Sequence, residues 1–147
     1  MGVSVIIPYY HGNKYLENLS KVLADNIKEY EKKFDEKIEI LFINDSPGDA
    51  LEKEFLKEIS GYYRIIENNK NYGIHKTRVN GICEASQEYI WMLDQDDIVS
   101  ERWLLSQFEC IQKKLHLVAL SYIIDEKAKG GFVYGTHYSC SVSIFPT

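Results

Sequence analysis

Apolar residues in this chain follow two rhythms. Val3 to Ile7 is a short β-branched run closed at once by Pro8, which predicts a buried first strand beginning almost at residue one. Leu16, Leu19, Leu23, Ile27, Tyr30 and Phe34 then recur at three- and four-residue steps, the stripe of an amphipathic helix. Ile38 to Ile43 reads as a second strand, broken by Asn44-Asp45-Ser46-Pro47-Gly48. Asp49 with Glu52 has the form of a capping box opening a short helix through Ile59. Tyr62 to Glu67 makes a third strand, followed by the polar loop Asn68 to Gly73. A helix from about Ile74 to Ala85 leads to a fourth strand, Tyr89 to Leu93. Ser100 is the expected cap of a helix carrying Leu104, Phe108, Ile111 and Leu115, with a fifth strand from Leu117 to Ile124.

Strands alternating with helices imply crossover units, hence an α/β fold with a mainly parallel sheet covered on both faces. The end of the chain differs. After the charged turn Asp125 to Gly131, Phe132 to Phe145 has β-formers without a helical stripe, which predicts one or two antiparallel edge strands. No linker interrupts the pattern, so residues 1–147 are expected to form a single domain.

Composition narrows the partners. With 45% hydrophobic and 27% charged residues, the chain has the make-up of a folded domain with its own core. A formal net charge of -5 argues against binding nucleic acid through its phosphates. The densest basic group, Lys28 to Lys37, is interleaved with acids and reads as a solvated helix face. Cys83, Cys110 and Cys140 match no zinc spacing and no disulfide framework. Each is expected to be a small buried residue in a reducing, cytoplasmic setting. No stretch has the length of a membrane span, and Val3 to Ile7 lacks the basic flank of a secretory leader.

The chemistry gathers where strands end. Tyr89-Ile90-Trp91-Met92-Leu93 runs directly into Asp94-Gln95-Asp96-Asp97. In a parallel sheet these acids share one edge with Pro8-Tyr9-Tyr10-His11, Asn44-Asp45 and Asn71-Tyr72-Gly73, the edge at which open α/β sheets bind ligands. Three carboxylates so close together must stay wet or meet a cation. A hard divalent metal carrying nucleotide phosphates is the natural partner. A helix-capping role explains one of the acids but not three. Asp45 fits an Asx turn before Pro47, and Gly73 a turn with positive φ. His75 and His137 have no ligand partner at recognisable spacing.

These segments resemble the nucleotide-binding half of an inverting family 2 glycosyltransferase of the GT-A, Rossmann-like fold. The matching stretches are VSVIIPYYHGNKYLENL, FINDSPGD, NYGIHKTRVNGICEAS and EYIWMLDQDD, together covering about residues 3 to 125. By that resemblance Pro8, Tyr10 and His11 lie against the nucleotide base, and Asp45 accepts hydrogen bonds from uracil or ribose. Asn71 and Gly73 belong to the same nucleotide-sugar site, and Arg78 holds the base or diphosphate. Asp94 meets the ribose, and Asp96, with Asp94 beside it, binds Mn²⁺ or Mg²⁺ in the D-x-D manner. Asp97 either faces the acceptor or caps the next helix. His11, Pro47 and Val79 depart from the residues usual in the family.

The resemblance implies metal-dependent, inverting transfer from a nucleotide sugar, a UDP-sugar above others, to a saccharide or lipid-linked acceptor in polysaccharide biosynthesis. The general base that such chemistry needs has no match here. Asp125-Glu126 reads as a solvated turn, so the catalytic residue is unassigned and the chain is expected to stop before the acceptor half. The alternative is a non-catalytic nucleotide-sugar-binding module. A phosphoacceptor signalling domain is a third reading, disfavoured because Pro8-Tyr9-Tyr10 and Asn68-Asn69 stand where its acids would be. The expected location is cytoplasmic, with room for peripheral contact at the inner membrane face and for a homo-oligomer.

Overall fold

In a computed structural model, the structure describes the backbone of residues 2–112 and the side chains of residues 2–109. Four strands, β1 (Gly2–Tyr9), β2 (Lys37–Asn44), β3 (Tyr63–Glu67) and β4 (Tyr89–Met92), form one parallel sheet in the order β3-β2-β1-β4. The helices are α1 (Asn13–Glu31), α2 (Ile74–Glu84) and α3 (Trp103–Gln112), and a 3-10 segment spans Lys53–Ile59. The α/β reading and the four strands hold. The expected fifth strand and the edge strands from Phe132 lie outside the described residues.

Side chains of β1 alternate between two cores, as the pleat requires. Val3, Val5, Ile7 and Tyr9 join Leu16, Leu19, Leu23, Ile27 and Tyr30 of α1 and Phe108 of α3 in the larger one. Ile6 joins Leu41 and Ile43 in a smaller one, against which Ile82 of α2 packs. Every residue of β1 is buried, because it is a central strand with helices on both faces. Pro8 does not end it. The β1–β4 ladder stops at the Ile6–Met92 pair, while β1 continues against β2 to Tyr9–Asn44. Pro8 therefore sits on the β4 side past the last pair, where its missing N–H costs little.

Three local expectations need correction. The segment before Ile59 is a 3-10 turn whose first flank is Glu52, with no side-chain cap; the Asp49 carboxylate is drawn instead to His11. The start of α3 is held by a residue far away in sequence. Asn26 Oδ1 accepts the Leu104 N–H at 2.8 Å, and its Nδ2 donates to the Ser100 carbonyl at 2.8 Å. Asn26 is 1% exposed, so this cap comes from α1 by tertiary packing rather than from the Ser100 hydroxyl. Finally, Cys83 is exposed on α2 rather than buried.

At the sheet edge away from the acidic run, Glu39 of β2 gathers the strands and α2. It accepts from Ser4 Oγ (2.8 Å), from Arg64 Nη2 (2.8 Å) and from the Ser86 N–H (3.0 Å). Arg64 also donates to the Glu84 carbonyl at 2.9 Å, fixing the last turn of α2. Burial opposes ionisation of Glu39, yet these donors outweigh it and hold the carboxyl below its usual range.

Candidate functional site

Because the strands are parallel, their C-terminal ends open on one side, and a crevice of about 410 Å³ lies there. Pro8 and Tyr10 line it from the β1 end, Asp45 from the β2 end, and Asn71 and Gly73 from the loop after β3. Asp94 and Asp96 close the β4 side. Seven residues singled out in the sequence thus share one cavity. Of the other two, Arg78 reaches it through Asp94 and His11 lies outside it.

Asp45 is only 4% exposed, and its carboxylate serves the protein itself. Oδ1 accepts from Asn68 Nδ2 (2.7 Å) and the Tyr72 N–H (2.8 Å), and Oδ2 accepts the Gly73 N–H (2.8 Å). Burial pushes its pKa up, but the Tyr72, Asn68, Gly73 and Thr77 donors outweigh it and hold the carboxyl below its ordinary value. Gly73 adopts φ 80 and ψ 164, a region essentially confined to glycine. Asn71 Oδ1 also accepts the Gly73 N–H at 3.0 Å. The carboxylate, the Asx contact and the glycine together fix the turn that starts α2.

Sequence reading missed the rest of this network. Asn68 Nδ2 also reaches Thr77 Oγ1 at 3.3 Å, and Asn68 Oδ1 accepts from Asn80 at 2.9 Å. Thr77 and Asn68 are buried. The one available signal was a Thr four residues before Gly81 on the face of α2 turned to the sheet. Asn44, 1% exposed, similarly ties Ser46, Asp49 and Glu67 together.

Arg78 is not part of the crevice wall but grips one that is. Its Nη2 donates to Asp94 Oδ1 at 2.7 Å and Oδ2 at 2.8 Å. His11 turns away from the cavity. Its backbone N–H goes to Ser46 Oγ at 2.7 Å, its Nδ1 lies 2.7 Å from Asp49 Oδ2, and its ring packs edge-on against Tyr10. It does so at φ 46, an unusual conformation for a non-glycine residue. Tyr10 stays 51% exposed.

Asp97 does not cap α3, which begins at Trp103. Its Oδ2 accepts the Asp94 N–H at 3.0 Å, closing the acidic loop on itself. Desolvation of the Asp97 carboxyl, with the charges of Asp94 and Asp96 adding, outweighs this contact and the pull of Arg78, and raises its pKa. Asp96 is exposed and, among the described residues, has no hydrogen-bond or ion-pair partner. No group of three or more His, Cys, Asp or Glu among the described residues is arranged to hold a metal ion. Asp94 and Asp96 are the carboxylates that could hold a cation of the Mg²⁺ type, which needs only one or two protein ligands when substrate phosphates and water complete its shell. No described helix is long and apolar enough to cross a membrane.

Comparison with known proteins agrees with this architecture. A model of the family described as "Glycosyl transferase family 2" matches residues 4–144. Glycosyltransferase GlyG of Streptococcus pneumoniae serotype 4 is 24% identical over 137 residues, covering 90% of this chain and 42% of that protein. Poly(ribitol-phosphate) beta-N-acetylglucosaminyltransferase TarP of Staphylococcus aureus is 31% identical over 105 residues, covering 69% of this chain and 30% of that protein. The chain thus spans less than half the length of these curated relatives. The crystal structure of S. aureus TarS superposes with a TM-score of 0.62 at 22% identity, covering 77% of this chain and 20% of TarS. A crystal structure of TarS 1-349 in complex with UDP-GlcNAc gives 0.58 at 22% identity, covering 77% of this chain and 32% of that one.

Proposed function

Since the chain belongs to glycosyl transferase family 2, we propose that it forms the donor half of an enzyme moving a sugar from a UDP-sugar to a saccharide or lipid-linked acceptor with inversion. The observation that carries this reading is the single crevice joining Asp45, Asp94 and Asp96 with Tyr10 and Gly73. UDP-GlcNAc in TarS and the acetylglucosaminyl transfer named for TarP favour a uridine donor.

In this assignment Tyr10, half exposed at the mouth, covers the base, and the turn that Asp45 holds shapes the wall beside it. Backbone N–H groups pinned by a buried carboxylate do not rearrange when the ligand arrives, which keeps the cost of binding low. Asp96, with Asp94 next to it, would hold Mn²⁺ or Mg²⁺, which when bound offsets charge on the departing diphosphate. Arg78 orients Asp94 and adds a fixed positive charge behind the acidic loop. The acceptor and the base that deprotonates it are assigned to parts of the protein beyond the described residues.

Calorimetric titration with UDP, GDP and CDP, each with and without Mn²⁺, tests the donor assignment. Metal-dependent binding of UDP that disappears in Asp96→Ala is expected. Equal affinity for all three nucleotides, or none for any, would sink it. The alternative reading is a module that binds the nucleotide sugar without catalysis. Incubation with UDP-sugars separates the two, since a module binds the donor without hydrolysing or transferring its sugar.

A further inference from the structure

Gln95 stands between Asp94 and Asp96, and its side chain crosses to the loop after β1. Oε1 accepts the Tyr10 N–H at 2.9 Å, and Nε2 donates to the Tyr10 carbonyl at 3.0 Å. The carboxamide therefore behaves as one rung of a strand pair, with a donor and an acceptor meeting both backbone groups of a single residue. It takes over where the backbone stops. The last contact of the β4 chain on β1 is Leu93 N–H to the Ile6 carbonyl, and beyond it the two loops diverge around the crevice.

Gly12 makes the approach feasible. A Cβ at this position would stand 2.3 Å from Gln95 Oε1 and 2.8 Å from its Cδ, a collision that displaces the carboxamide from its place against Tyr10. Residue chemistry is equally restrictive. A carboxylate at position 95 could accept the Tyr10 N–H but would repel its carbonyl, and it would add a fourth charge to the acidic run.

We infer that Gln95 is a positioning residue, which sets the separation between Tyr10 and the Asp94 and Asp96 carboxylates and thereby the width of the crevice that receives the donor. This rests on the nucleotide-sugar reading of that crevice. Gln95 acts through Tyr10 on one wall and through its own backbone on the other.

Gln95→Met keeps the length of the side chain and removes both hydrogen bonds, so it separates the clamp from packing. The expected result in the full chain is about tenfold weaker Mn²⁺-dependent binding of UDP. Hydrogen exchange at the Tyr10 amide should accelerate, while the thermal midpoint stays close to that of the unaltered chain. Gly12→Ala should weaken UDP binding to a similar degree, and should add nothing further in a Gln95→Ala background. UDP affinity unchanged in Gln95→Met, Tyr10 exchange unchanged, or additive effects of Gly12→Ala and Gln95→Ala would each overturn the inference while leaving the donor site standing. Absence of UDP binding by the unaltered chain would instead overturn the donor reading and the width-setting role with it.

Discussion

Arg78 on α2 and Asp94 after β4 are joined through one guanidinium nitrogen that donates to both carboxylate oxygens, at 2.7 and 2.8 Å. The side chains remain 35% and 41% exposed. In water a pair of this kind contributes at most about 1 kcal/mol to stability. On the proposed donor reading its effect on a polyanionic ligand is greater, because it neutralises one member of an acidic run.

Arg78→Ala should therefore leave urea stability within about 1 kcal/mol of the unaltered chain while weakening Mn²⁺-UDP binding about tenfold or more. Paired urea melts and calorimetric titrations measure both quantities. Loss of several kcal/mol of stability with intact UDP affinity would show the pair to be a fold element instead.

Asp45 should behave in the opposite way. Asp45→Ala strands the Tyr72 N–H and leaves the Gly73 N–H and the Asn68 amide with only their weaker contacts to Asn71 and Thr77. Each lost bond to a charged acceptor is worth about 1.5–3 kcal/mol, partly recovered by water reaching the turn. A net loss of about 3 kcal/mol is expected in urea unfolding. A loss below about 1 kcal/mol would mean that the turn holds without it.

Acid stability follows from the same residue and from Glu39. Both have folded-state pKa values below their ordinary ones. The folded state thus prefers them ionised, and their contribution is fully present above the unfolded carboxylate values of about 4. It declines as pH falls below about 4 towards the lower folded values. Asp45→Asn and Glu39→Gln should each flatten the acid limb of a stability–pH curve and lower the plateau at neutral pH. An acid limb as steep as that of the unaltered chain in both variants would refute the assignment.

Asn26→Ala tests the long-range cap of α3. It leaves the buried Leu104 N–H without its acceptor and removes one of the two donors to the Ser100 carbonyl, which keeps the Trp103 N–H, at a cost of about 2 kcal/mol. Chemical denaturation should show this loss, and Ser100→Ala should show almost none. Equal losses from the two would return the cap to Ser100.

The strands, the three helices and the gathering of the acidic run with Pro8, Tyr10, Asp45, Asn71 and Gly73 were legible in the sequence. Each depends on local periodicity, or on the rule that parallel strands end at a common edge. The roles of individual polar groups were not legible, because a hydrogen bond depends on distance and direction, which residue order does not contain. Asn26 capping a helix 78 residues away, Asp45 turned inward to Tyr72 and Gly73, His11 drawn to Asp49, and Gln95 bracing Tyr10 arise only when separate strands bring these side chains within about 3 Å of their partners. Sequence alone determined that the carboxylates meet at one edge of a parallel sheet; tertiary packing decided which of them face the crevice and which hold its walls.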